Sequence, residues 1–367
     1  MAEFAFAQAA DGDGLSLAKR CAEQLGAAAS GHTLGFVYAT QPLARSLGEA
    51  VALLRQATGI EDWVGTVGLG VCATGTEHFH RPALTVLTAE LPNGAHRIIP
   101  LVDKPEAAGS DVLPAFAAGV GVVHGDPRNA ATADIVRALA DKRGAFLVGG
   151  LSASEDAQPQ VAGPIVDGGV SGVLLAQDVP VVVGVTQSCS PVGTLHEVTE
   201  ADEAIIISLD GRPALEVLLE DVGVAEGADP QPWLRNIHAA RLIPGTDTAD
   251  YLVRNLVGIE PKAGLVVIGE PVSQGEAFLF VRRDTEAAAK DMQRMLADLK
   301  RRAGGKPKGG LYFSCIARGP NLFEPPGHEM IAIREALGEF PLAGFFGNGE
   351  ISNDRLYGYT GVLMLFI

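Results

Sequence analysis

Tyr312-Phe313-Ser314-Cys315-Ile316-Ala317-Arg318-Gly319, then Pro341-Leu342-Ala343-Gly344-Phe345-Phe346-Gly347-Asn348-Gly349-Glu350-Ile351, then the apolar run 361–367, decide the reading of this chain. In order they predict a strand that delivers a thiol and a guanidinium, a helix, a second strand ending in a glycine-rich turn with a carboxylate, and a closing strand. Two upstream segments of about sixty residues obey the same grammar. In the first, 33–91, a strand at 34–39 leads into a helical pattern with Leu43, Leu47, Val51 and Leu54 on one face; a strand near 64–71, a turn with Gly68, Gly70 and Gly75, and a strand at 83–89 follow. In the second, 119–179, strand 120–124, helix 131–141, strand 145–148, the turn Gly149-Gly150-Leu151-Ser152 and strand 170–176 succeed one another.

The fold class expected is therefore α/β: two mixed-sheet domains built from repeated strand-helix-strand-turn-strand units. The stretch 180–309 between the second and third copies carries further strands, a helix starting near Pro213 and a strong helix at 286–302. The acidic, Gly- and Pro-containing run 220–232 is the expected domain boundary.

Composition narrows the function classes. The chain has 367 residues, 47% hydrophobic and 20% charged, with 28 basic against 44 acidic residues and a net charge of -16. That balance repels phosphate backbones and anionic bilayers, so neither nucleic acid nor membrane is an expected partner. Cys21, Cys72, Cys189 and Cys315 form no C-x-x-C pair, which argues for reduced thiols and against a zinc ribbon or thioredoxin-type motif. Residues 1–14 carry Glu3, Asp11 and Asp13 and no basic residue, unlike a secretory leader, and no apolar stretch reaches spanning length. A cytoplasmic location is expected.

Several residues could carry chemistry. Cys315 precedes Arg318 by three, so it reads either as a thiol polarised by a guanidinium, the nucleophile of a thiol-dependent enzyme, or as a small core residue. Arg318 presents a planar fork suited to a carboxylate, that of a ligand or of Glu350. Asn348 and Glu350 sit among glycines that permit close approach of a bound molecule, or simply a hairpin. Gly149, Gly150 and Ser152 miss the nucleophile-elbow pattern, because Ser154 stands where glycine is required; they read as a turn offering N–H groups and a hydroxyl. Gln187, before the loop Ser188-Cys189-Ser190-Pro191-Val192-Gly193, offers an amide. His78, His80 and His124 leave a haem or metal sensor as an alternative, although His78 and His80 lack a third ligand nearby.

Taken together, Phe313-Ser314-Cys315, Arg318-Gly319, Pro341-Leu342, Gly344-Phe345, Gly349-Glu350-Ile351 and Thr360 resemble the C-terminal FIST domain, named for F-box and intracellular signal transduction. Val148-Gly149-Gly150, Ser152, Gly172-Val173, Gln187, Pro191-Val192-Gly193, Val198-Thr199 and Asp210-Gly211 resemble the N-terminal one, with Ser188 standing where the family pattern has glycine. The resemblance implies domains at 30–222 and 223–367. It also implies a stand-alone bacterial sensory protein binding a small metabolite, an amino acid or other small carboxylate, with no cofactor. With no room for a kinase, cyclase or F-box, its output would pass to a separate signalling protein. On this reading Arg318 takes the ligand carboxylate. Glu350, Asn348, Cys315, Gly149, Gly150, Ser152 and Gln187 line the same cleft.

Overall fold

The computed structural model describes residues 3–109, 116–225, 227, 229, 231–243 and 251–367. The chain divides into two compact units, one formed by Met1–Gln187 with Asp291–Ile367 and the other by Ser188–Lys290. All three repeated segments lie in the first unit, and the repeat is larger than the sequence pattern predicts.

In the first repeat β1 (Phe4–Ala10) and α1 (Gly14–Leu25) precede β2 (Leu34–Thr40), α2 (Leu47–Thr58), β3 (Asp62–Gly68), a hairpin of β4 (Gly70–Ala73) and β5 (Thr76–Phe79), and β6 (Ala83–Ala89). The second has β7 (His96–Val102), β8 (Ala118–Gly125), α3 (Thr132–Arg143), β9 (Phe146–Leu151), the hairpin β10 (Gln160–Ala162) and β11 (Ile165–Val166), and β12 (Val170–Ala176). The third begins with β13 (Val181–Gln187), which the second unit separates from the rest of its repeat.

The second unit contains β14 (Cys189–Asp202), β15 (Ile205–Leu209), β16 (Arg212–Pro213), α4 (Ala214–Val222), the short α5 (Gln231–Leu234), β17 (Ile237–Leu242), β18 (Tyr251–Glu260), β19 (Leu265–Ile268) and β20 (Ala277–Arg283). Its sheet runs β14-β20-β17-β18-β19-β15-β16, and a further β14–β15 pairing closes it on itself. Closure removes exposed strand edges. Leu215 and Leu218 of α4 join Val198, Leu209, Phe278 and Phe280 in its core. His196 of β14 meets Asp210 Oδ2 through Nδ1 at 2.6 Å and Asp221 Oδ2 through Nε2 at 2.9 Å. Each ring nitrogen thus faces a carboxylate acceptor; burial pulls the His196 pKa down, but these two carboxylates outweigh it and the net shift is upward.

The helix α6 (Thr285–Ala303) carries the chain back into the first unit. There β21 (Gly309–Cys315), α7 (His328–Leu337), β22 (Leu342–Gly347), the hairpin β23 (Glu350–Ser352) and β24 (Arg355–Tyr357), and β25 (Thr360–Phe366) complete the third repeat.

Each repeat builds a six-stranded sheet in one order: leading strand, last strand, first strand, second strand, then a hairpin borrowed from another repeat. The sheets run β1-β6-β2-β3-β10-β11, β7-β12-β8-β9-β23-β24 and β13-β25-β21-β22-β4-β5. The hairpins are thus exchanged in a ring, and that exchange explains two departures from the sequence reading. The single strand expected at 64–71 breaks at Leu69, because β3 and β4 belong to different sheets. Gly149 and Gly150 lie in β9, paired to Ile351 and Glu350 of the incoming hairpin, and not in a turn.

The three sheets face one core. Tyr38, His124 and Phe313 occupy equivalent positions on β2, β8 and β21, with ring centroids 5.5, 6.0 and 6.3 Å apart. Phe345 fills the space between them, 5.2 Å from Tyr38, 6.0 Å from His124 and 5.7 Å from Phe313. Gly150 stands at the equivalent of Phe345 on β9, and a Cβ there would come within 3.1 Å of the Phe345 ring. The boundary run 220–232, in part outside the described residues, falls inside the second unit rather than between compact units. Among the described residues no helix is long and apolar enough to cross a membrane.

Candidate functional site

Strands β13, β25 and β21 lie side by side and carry polar groups at both ends. At one end β21 stops at Cys315 and the chain turns through Arg318. That guanidinium is wholly buried, and its charge is directed inward: Nε donates to Glu329 Oε1 of α7 at 2.8 Å. The Tyr312 hydroxyl donates to the same oxygen at 2.5 Å, the Ser314 hydroxyl lies 3.3 Å from both oxygens, and the Gly319 N–H donates to Oε2 at 3.0 Å. Burial works against the Arg318 charge, yet the Glu329 carboxylate outweighs it and keeps the group protonated.

The partner expected for Arg318, a ligand or Glu350, is thereby corrected to Glu329. The sequence contains a signal for it. On α7 the buried stripe is Glu329, Met330, Ile333 and Leu337, so an acid occupies an apolar stripe and requires a buried cation.

Glu350 is also buried. Its Oε2 accepts from the Thr360 hydroxyl at 2.7 Å and the Thr360 N–H at 3.3 Å, while Oε1 has no hydrogen-bond partner among the described residues. Burial pushes the Glu350 carboxyl up to about 8, against the Thr360 bonds and the charge of Arg318, so it is protonated at neutral pH. The Cys315 thiol is pushed up by burial and then by the Glu350 charge; Arg318 opposes both too weakly to generate a thiolate. Desolvation therefore opposes the polarised-thiol reading.

Glu350 gives a pH prediction with a definite sign. Its folded pKa of about 8 lies above the ordinary 4.5, so the folded state holds the proton more tightly. Stability is then full below pH 4.5 and falls as pH rises towards 8. At about 1.4 kcal/mol per unit, the loss is on the order of a few kcal/mol. Glu350→Gln keeps an acceptor for Thr360 and should flatten that decline, read as Tm between pH 5 and 8; parallel profiles for variant and parent would refute the assignment.

The other expected residues scatter. Gln187, at the end of β13, accepts from Arg318 Nη1 at 3.3 Å through its carbonyl and donates its N–H to Asp291 Oδ2 at 2.7 Å. Gly150 faces Glu350 across β9 and β23. Ser152 is buried elsewhere, its hydroxyl 2.7 Å from that of Thr66. Asn348 is exposed on the β22–β23 turn. His78 donates to Gln8 Oε1 at 2.8 Å and accepts from Arg81 at 2.9 Å, while burial pulls His124 down to about 3. Among the described residues no group of three or more His, Cys, Asp or Glu could hold a metal ion.

At the opposite end of the same strands lies a cavity of about 220 Å³, which the sequence reading missed. Phe4, Leu91, Val179 and Phe366 form apolar walls, with Lys308 and Asp178 as the charged lining residues. Lys308 Nζ donates to the Ile367 carbonyl at 2.9 Å. Periodicity does not disclose this site, because its walls come from the ends of strands in separate repeats.

The first unit is thus a repeated α/β scaffold with a buried polar layer at one end of these strands and a largely apolar cavity at the other. The FIST N domain model matches residues 33–212 and the FIST C domain model residues 214–353; the chain belongs to the FIST family, whose domains are associated with sensory signal transduction. The second compact unit takes in the end of the first matched segment and the start of the second.

An uncharacterized protein of Mycobacterium tuberculosis is 36% identical over 194 residues, 50% of this chain and 50% of that protein. One of Mycobacterium bovis is 34% identical over 216 residues, 55% of this chain and 54% of that protein. The chain thus spans about half the length of the curated relatives it matches. Among solved structures, T. maritima PurL complexed with FGAR aligns with a TM-score of 0.23 at 12% identity, covering 99% of this chain and 72% of that one, too distant a likeness to inform the function.

Proposed function

We propose that this protein is a cytoplasmic sensor that binds a small carboxylate-bearing metabolite, an apolar amino acid fitting best, and signals through a separate protein. The observation that carries the reading is the cavity lined by Lys308 and Asp178. A cation and an anion beside apolar walls complement a zwitterion with an apolar side chain. Arg318 lies buried against Glu329 at the other end of these strands, so the ligand carboxylate falls to Lys308, which would give up its bond to the Ile367 carbonyl.

The test is thermal unfolding of the full chain with L-leucine, L-valine and 3-methylbutanoate. A ligand at 100 times its Kd adds about 2.7 kcal/mol, which raises Tm by about 5 °C. The rise should vanish in Lys308→Met and weaken for the amino acids alone in Asp178→Asn. No rise with any of the three in the parent protein would overturn the reading.

A further inference from the structure

The three strands that begin at the cavity end where residues 188–290 leave and rejoin the first unit. Pro180, Lys308 and Phe366 line the cavity. Seven residues further, roughly 20 Å at strand rise, β13 ends at Gln187 and β21 at Cys315. The Gln187 N–H is bonded to Asp291, so the last residue before the insertion is joined to the residue at which the chain returns. Arg318 closes the other side through the Gln187 carbonyl at 3.3 Å and Met292 Sδ at 3.8 Å.

These contacts are unequal. Towards the scaffold Arg318 makes a short charge-assisted bond to Glu329 at 2.8 Å; towards the root of the insertion it makes longer ones to a neutral carbonyl and a thioether. The strand that reaches this clasp has, among the described residues, a ladder partner on one side alone. β13 is an edge strand whose residues 181–185 are all half-exposed. On its outer side Arg302 donates to the Val183 carbonyl at 2.6 Å and Arg294 to the Val185 carbonyl at 3.1 Å. Both arginines sit on α6, the helix that returns from the insertion. β13 is therefore an edge element held by one ladder and two arginines, and both the cavity and the insertion root bear on it.

We propose that the clasp of Arg318, Gln187 and Asp291 is the output of the cavity: a ligand bridging the starts of β13 and β21 and the end of β25 docks β13 and tightens the root of the insertion. This rests on the cavity being the ligand site, and the experiment separates the two. Hydrogen exchange is followed in the full chain over residues 184–190 and 286–294, with and without saturating L-leucine, and in Val179→Phe, which fills the cavity without ligand.

Exchange should slow about tenfold in both cases, within the roughly 5- to 150-fold range of site coupling. Asp291→Ala should abolish the slowing while keeping the Lys308-dependent rise in Tm. A rise in Tm with unchanged exchange at the root overturns the clasp and leaves the cavity reading standing. Slowed exchange in Val179→Phe, with no Tm response to any probe, keeps the clasp and overturns the ligand. Neither effect overturns both.

Discussion

Replacing Arg318 with alanine should cost about 3–5 kcal/mol of stability, because it strands the Glu329 carboxylate, fully buried, without its cation. Both side chains are fully buried, and the hydroxyls of Tyr312 and Ser314 and the N–H of Gly319 converge on that carboxylate. Those donors cannot replace a positive charge. The measurement is urea unfolding of the full chain, followed by circular dichroism.

The double variant Arg318→Met with Glu329→Gln separates charge from packing. It removes both ions, retains acceptor and donor atoms for Tyr312 and Ser314, and should recover most of the loss, since a buried ion pair gains little over a well-packed neutral pair. A single variant as stable as the parent would show that water reaches Glu329. A double variant as damaged as the single one would assign the cost to lost packing on Phe323, whose ring lies 5.4 Å from the guanidinium carbon.

The extent to which the sequence discloses this molecule follows from what periodicity can report. Each repeat's central strands and following helix obey local rules, so 34–39, 120–124 and 286–302 fall within β2 (Leu34–Thr40), β8 (Ala118–Gly125) and α6 (Thr285–Ala303). The leading strands are harder to read: β1 and α1 precede the segment that shows the pattern, and β13 is separated from its repeat by the second unit. Hairpin exchange is invisible to a local reading, because Glu350 and Ile351 pair with residues two hundred positions upstream, Gly150 and Gly149. At the polar end the sequence reading picks out Arg318, Gln187 and Glu350 but not Glu329, since it treats α7 as a spacer between strands. The cavity is a juxtaposition of strand ends, and no spacing rule spans Phe4, Val179 and Lys308.

Gly149 is where the repeat should prove least tolerant. At φ 149° it lies in a region that residues with a Cβ rarely occupy, and a Cβ there would stand 1.8 Å from the Val123 carbonyl oxygen on β8. The equivalent glycines of the other repeats face the same obstruction, Gly65 from the Val37 carbonyl at 1.7 Å and Gly344 from that of Tyr312 at 1.8 Å. Three parallel strand pairs therefore approach in one way, and the cause is shared backbone geometry rather than a shared ligand. Gly149→Ala combines backbone strain of about 1–3 kcal/mol with overpacking of about 1–3 kcal/mol, so it should destabilise by roughly 2–6 kcal/mol. Because Gly149 pairs with Ile351, the β23–β24 hairpin should loosen with it, seen as faster hydrogen exchange across 350–357. Gly144→Ala is the control: it caps α3 at φ 59° with open space around its Cβ, so about 1 kcal/mol is expected. Equal losses at the two positions would show that β8 and β9 can separate, and that the close approach of the strand pairs does not hold the repeats together.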